Sequence, residues 1–242
     1  MNARNFISNL LSCTKLKRIE FNFPSISFSR YSWGESDIFE LVSGLIKNSY
    51  FSHYSAVYLH NLTEQNPKSI YLNYEQPEKP KSANRLTQSG IDTAFSRPPR
   101  LTNNTCLMDH YQIHILNGKK TNNLGVINKK NYSLTDIERT LIDITVRPSY
   151  SGGVFEVLKI YKNAKDDLYD LSVNRMSALL NKIDYIYPYH QTIGFFLEKA
   201  GYDPTQLEIF ENYKREFDFY LTNQIKEAEY SPKWRIYYPK GL

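Results

Sequence analysis

No apolar run in this sequence approaches the roughly 20 residues that a membrane-spanning helix needs. The best segment, Ile38 to Ile46, is broken by Glu40, Ser43 and Gly44, so a membrane span is excluded. The start, Met1 to Leu16, carries Arg4, Asn5, Ser8 and Asn9 between its apolar residues and lacks a small-residue cleavage site after a clean apolar stretch. It does not read as a signal peptide, and the expected compartment is the cytoplasm. Cysteine is nearly absent. Cys13 and Cys106 stand far apart with no Cys-x-x-Cys neighbour, which argues against a metal knuckle or redox pair; both are read as reduced, structural residues. Also missing are a glycine-rich phosphate loop, a nucleophile elbow and any internal repeat.

What is present suffices for a folded core. Of the 242 residues, 41% are hydrophobic and the mean hydropathy is −0.53, a balance that fills an interior and leaves a polar surface. That length is compatible with one large domain or two small ones. Lys plus Arg total 30 against 25 Asp plus Glu, and the surplus of +5 concentrates between Lys68 and Lys130. Within and beside that stretch, Lys79, Lys81, Arg85, Arg97, Arg100, Lys119 and Lys120 are candidates for nucleic-acid binding, with Tyr71, Tyr74 and Phe95 interleaved. A solvated loop surface is the alternative, since the charges are spread over loop-like sequence. Twenty tyrosines and thirteen phenylalanines could equip a contact surface or simply build an aromatic core.

Patterning along the chain predicts an α+β fold. Residues 1–132 form a mixed strand and helix part with a β-hairpin, and residues 133–242 form a helical array with an aromatic-rich extended C-terminus. Lys17 to Phe23 alternates as a half-buried strand. Ser36 is the expected N-cap of a helix with Ile38, Leu41, Val42, Leu45 and Ile46 on one stripe, and a second helix starts at Ser52. Lys68 to Tyr74 reads as a strand, and residues 83–109 read as irregular. Tyr111 to Ile115, the Asn117-Gly118 pair and Leu124 to Ile127 predict a hairpin. Thr135 and Glu138 have capping-box spacing, with Pro148 ending that helix. Further helices are expected after Gly152-Gly153, Ser172, Pro188 and Asp203-Pro204.

Each chemistry-bearing residue also has a structural use. Asp136, Glu138, Arg139, Asp143 and Arg147 share helical spacing. Carboxylates on one face could serve a metal-dependent hydrolase, whereas a cap plus a ladder from Arg139 through Asp143 to Arg147 would leave them purely structural. His53 and His60 are seven residues apart, not the four a zinc pair requires. His190, in Tyr187-Pro188-Tyr189-His190-Gln191, has no nucleophile nearby in sequence. No catalytic constellation is complete, no cofactor is implied, and the expectation is a non-enzymatic recognition protein.

Five runs resemble a known family: Phe51 to Gln76, Leu86 to Phe95, Leu116 to Val126, Leu134 to Val154 and Tyr185 to Tyr202. They are similar to the AbiEi family of type IV antitoxins from abortive-infection toxin-antitoxin systems, also described as transcriptional regulators of viral defence. The resemblance covers about residues 17–242. It implies an antitoxin that opposes a nucleotidyltransferase toxin encoded beside it and that in many members represses its own operon. Family members usually carry an amino-terminal winged helix-turn-helix, for which residues 1–35 are too few. The resemblance assigns no catalytic residue. Candidates for partner recognition are His53, Tyr54, His60, Glu64, Gln65, Asp136, Glu138, Arg139, Asp143, Arg147, Tyr187, Tyr189, His190 and Gln191. The partners implied are the toxin and DNA or RNA, with no membrane.

Overall fold

In the computed structural model, which describes residues 2–78, 80, 85–165 and 171–242, the chain opens with a helix not foreseen from the sequence. This is α1 (Ala3–Cys13), with the Asn2 side chain accepting from the Asn5 amide. The expected strand follows as β1 (Leu16–Asn22) and pairs antiparallel with a second unforeseen element, β2 (Ser27–Trp33). Next comes α2 (Ile38–Ser43), capped by Asp37 rather than Ser36: its carboxylate accepts from the Phe39 amide, while Ser36 instead bonds Ser32. Then follow β3 (Tyr50–Phe51), α3 (His53–Leu59) directly after Ser52, and β4 (Ser69–Glu75).

Residues 83–109 prove more regular than expected. They contain α4 (Gln88–Phe95), whose Thr87 side chain accepts from the Gly90 amide, and β5 (Thr105–Met108). The expected hairpin at Asn117-Gly118 does not form. β6 (Tyr111–Gly118) runs straight through that pair, because Asn117 and Gly118 sit in parallel register with Tyr74 and Glu75 of β4. Glycine is needed there for close approach, since a Cβ at position 118 would lie 2.8 Å from the Asn73 side chain. Hairpins do occur elsewhere. One joins β5 to β6; another joins β7 (Val126–Lys129) to β8 (Tyr132–Thr135), with Lys130 in the left-handed region. The resulting six-stranded mixed sheet has the order β5-β6-β4-β3-β8-β7.

The second half is the helical array that periodicity predicts. α5 (Ile137–Val146) is followed by a 3-10 turn at Pro148–Tyr150, then α6 (Val154–Ala164), α7 (Val173–Ile183), α8 (Tyr189–Lys199) and α9 (Pro204–Glu211). Gly153, Ser172 and Pro188 precede α6, α7 and α8 as expected, and Asp203 with Gln206 closes a full capping box on α9. The aromatic tail forms a small sheet of β9 (Phe219–Tyr220), β10 (Ala228–Ser231) and β11 (Ile236–Pro239), with β11 central.

Period-two alternation divides the interior. Ile70 and Leu72 of β4 point with Ile113, Ile115 and Leu134 into a core shared with Phe21, Phe39 and Phe51. Tyr71, between them, faces the other way against Leu116 and Tyr150. A larger core gathers the inward stripes of α5 to α9 together with Ile91 of α4 and Trp234. Cys106 behaves as the small buried hydrophobe expected of it, but Cys13 does not; it lies exposed at the end of α1. Among the described residues, no helix is long and apolar enough to cross a membrane.

Candidate functional site

The acidic cluster is committed to structure, though not in the way the capping-box spacing suggested. Thr135 ends β8, and Asp136 is the cap of α5, accepting from the Arg139 amide at 2.8 Å and pairing with Arg175 at 2.5 Å. Burial pushes the Asp136 carboxyl above its ordinary range, against the pull of the Arg139 amide and Arg175. Glu138 is freed from capping and accepts the Ser172 amide at 3.0 Å, tying the start of α7 to α5. Arg139 and Asp143 form a buried pair at 2.8 Å, their side chains 5% and 7% exposed, and Arg139 also donates to the Leu124 carbonyl. The expected ladder stops there. Arg147 is exposed and donates to the Arg100 carbonyl at 2.9 Å. Among the described residues, no three His, Cys, Asp or Glu side chains converge as a metal site would require.

Several other candidates are interior. His53, backbone φ +53°, bonds Ser52 Oγ through Nδ1 at 2.8 Å; burial pulls its imidazole down to about 4. His60 contacts the Thr135 carbonyl at 2.7 Å, linking the end of α3 to the start of α5. Gln191 has no exposed surface: its amide nitrogen donates to the carbonyls of Phe217, Trp234 and Arg235, stapling α8 to the C-terminal segment. It therefore cannot meet a partner directly. His190 stacks on Tyr213 and contacts the Lys214 carbonyl at 3.2 Å, and burial lowers it to about 4. Tyr54 is half-buried over Thr63 and Gln65, with Glu64 and Gln65 exposed beside it.

The basic candidates separate. Lys79 and Lys81 lie outside the described residues. Lys119 donates to the Ile183 carbonyl at 2.6 Å and so caps the end of α7, while Lys120 and Arg85 are exposed side chains elsewhere on the surface. Arg97 and Arg100, by contrast, meet Arg147, Tyr187 and Tyr189 around one cleft of about 640 Å³. The tertiary structure thus unites residues that sequence assigned to two different partners.

Each wall of that cleft has a local cause. The Arg97-Pro98-Pro99-Arg100 turn is set by its two prolines and tacked down at both ends, by Asn223 Nδ2 on the Arg97 carbonyl at 2.9 Å and by Arg147 on the Arg100 carbonyl. Its backbone is fixed while its guanidinium groups make no ion pair among the described residues. Arg147 is presented where Pro148 ends α5, and Tyr187 and Tyr189 where Pro188 starts α8. Behind them, Phe95 stacks on Tyr220 at 5.6 Å and Tyr187 on Phe219 at 5.8 Å. Burial holds the Tyr189 hydroxyl protonated against the pull of Arg147, and burial together with Asp92 raises Tyr220 to about 12. Among the described residues, three arginines and no Asp or Glu line the cleft. Chemically it can accept an anion beside aromatic surface.

Sequence reasoning named Phe95 only as an aromatic interleaved with the basic residues and missed Tyr220 as part of this site. Thr87 as a cap with Ile91 and Phe95 at i and i+4 was the signal for α4. The contact between Phe95 and Tyr220 spans more than half the chain and has no local trace.

The architecture defines an α+β protein with a mixed sheet and a helical second half. No family model matches the chain, and no curated protein matches it in sequence. Among solved structures it is similar to the RV2827C protein of Mycobacterium tuberculosis, with a TM-score of 0.62 at 14% identity over 98% of this chain and 80% of that one. At that identity the likeness concerns the fold alone.

Proposed function

We propose that this chain is a recognition protein of the antitoxin kind, opposing a nucleotidyltransferase toxin and acting through the arginine-tyrosine cleft rather than through catalysis. The observation that carries this reading is the convergence of Arg97, Arg100, Arg147, Tyr187 and Tyr189 on one cleft with no Asp or Glu in its lining among the described residues. Arg and Tyr are the side chains that dominate recognition hot spots, because each combines a large contact area with directed hydrogen bonds. The commitment of Asp136, Glu138 and Asp143 to a cap, a helix tie and an ion pair further supports recognition over metal-assisted hydrolysis. Repression of its own operon belongs to the same reading through the resemblance to AbiEi antitoxins, and the cytoplasm is its compartment.

Co-expression with the nucleotidyltransferase encoded beside this chain tests the proposal. The intact protein relieves the toxin's growth arrest, and Arg147→Glu, an exposed position, loses that relief while its melting temperature stays within a few degrees of the parent. Growth arrest that persists with the intact protein present would overturn it.

A further inference from the structure

We propose that the cleft is a nucleotide-binding site, in which Arg97, Arg100 and Arg147 hold phosphate and the tyrosine-lined wall beside them takes the base. This deepens the proposed function by naming the ligand of the same cleft, and the binding itself requires no toxin. Four observations lead there.

The first is charge. Among the described residues, three guanidinium groups border the cleft with no lining Asp or Glu to neutralise them, so the field inside selects an anion. The second is donor geometry. Arg97 and Arg100 project from a turn whose carbonyls are already held by Asn223 and Arg147, so their donors are carried on a fixed backbone and stay available. Planar guanidinium forks suit phosphate oxygens, which accept two parallel bonds. Arg147 plays both parts, with one nitrogen on the Arg100 carbonyl and the rest of its donors at the cleft.

Aromatic surface is the third. Tyr187, Tyr189 and Tyr220 form the wall beside the arginines, and among the described residues the rings that meet Tyr189, those of Tyr185, Tyr187 and Phe219, do so edge-on at interplanar angles of 75–80°. A base can lie against this tyrosine wall, and stacking of this kind tolerates any base because every base has a π-face. Size is the fourth. At about 640 Å³ the cleft falls within the range of small-ligand sites and suits a single nucleotide unit rather than a duplex. An acidic peptide would satisfy the arginines but would make no use of the aromatic wall, which favours the nucleotide.

The nucleotide can be free or can be the end of a single strand, and calorimetric titration of the full chain with three probes separates these sources. The probes are the four ribonucleoside triphosphates, a four-nucleotide single-stranded RNA, and inorganic tripolyphosphate as the form lacking a base. At low salt a triphosphate or the oligonucleotide binds at least tenfold more tightly than tripolyphosphate, with affinity falling as salt rises. A preference for the triphosphates assigns the site to free nucleotide, and a tenfold preference for the oligonucleotide assigns it to a strand end. Arg97→Glu and Arg100→Glu, both exposed turn positions, each weaken the preferred probe at least tenfold with unchanged melting. Tyr189→Leu narrows the gap to tripolyphosphate, the readout that a merely structural tyrosine would not move. Three results would overturn the proposal: no binding of any base-containing probe at millimolar concentration, equal affinity for tripolyphosphate, or unaltered affinity in both glutamate variants. Displacement of the probe by an oligoglutamate peptide of equal or higher affinity would overturn it too. Intact nucleotide binding without toxin relief would instead count against the proposed function alone.

Discussion

Gly194, in the middle of α8, offers a sharp test of how the C-terminal segment is locked behind the cleft. A Cβ added there would lie 2.1 Å from Cζ3 of Trp234, 2.4 Å from Cη2 and 2.7 Å from Cε3. Two effects of opposite sign therefore meet in Gly194→Ala. Alanine inside a helix is favoured over glycine by about 1 kcal/mol. Against that, overpacking a filled core costs about 1–3 kcal/mol and sometimes more. The upper end applies, because carbon contacts are optimal at roughly 3.5–4.0 Å and the indole has no room to withdraw. Trp234 is fully buried, its Nε1 donates to the Glu198 carboxylate, and Arg215 and Lys233 lie over its ring at 5.6 and 5.3 Å. The net expectation is a loss of about 2 kcal/mol, which lowers the melting temperature by roughly 4–8 °C for a chain of this size. Thermal unfolding followed by circular dichroism measures it. Trp234→Phe removes the outer ring, so adding Gly194→Ala to that variant costs at least about 1 kcal/mol less than adding it to the parent. A Gly194→Ala protein that melts at or above the parent temperature would refute the reasoning.

Three further outcomes follow from the interior. Arg139→Met strands the buried Asp143 carboxylate and lowers stability by about 3–5 kcal/mol in urea denaturation; an unchanged midpoint would show that the pair is dispensable. Gln191→Leu takes the donor from the Phe217 and Trp234 carbonyls, while the Arg235 carbonyl keeps the Phe219 amide, and costs about 2–4 kcal/mol, against no change if water replaces the side-chain amide. The third concerns acid. His53 is held at about 4 in the fold by burial, below its ordinary 6.5, so the unfolded chain binds the extra proton first as pH falls. Its contribution is complete above about pH 6.5 and is lost between there and pH 4, on the order of 3 kcal/mol. His53→Asn, which tolerates the same left-handed backbone, flattens that part of the stability-pH curve; an equally steep acid limb in the variant counts against it. His190, also lowered to about 4, leaves a residual slope.

Local sequence determined the elements whose signals are self-contained. Ser172 before the stripe Val173, Met176, Leu179, Leu180 and Ile183, and Asp203-Pro204 before Gln206, announce helix starts because a cap and its amides lie within four residues of one another. The alternation in Lys17 to Phe23 likewise produces a strand wherever its partner lies. Tertiary context overrode the signals that several structures can share. Asn117-Gly118 has hairpin chemistry, yet parallel pairing with β4 gains more hydrogen bonds than a tight turn would, and the same glycine serves the close approach of Asn73. Thr135 and Glu138 have capping spacing, but Asp136, one residue on, takes the cap and releases Glu138 to bond α7.

The cleft was legible only in pieces. Arg97, Arg100, Arg147, Tyr187 and Tyr189 could each be named from the sequence as residues suited to recognition, since a charge, a ring or a proline turn is visible wherever it stands. That they share one cleft depends on how α4, the end of α5, the start of α8 and the C-terminal sheet pack around a common core. Such long-range packing is fixed by burial summed over the whole chain, and no local spacing encodes it. The same physics withdrew Gln191, whose amide looks like surface chemistry in sequence and in the fold is a buried staple.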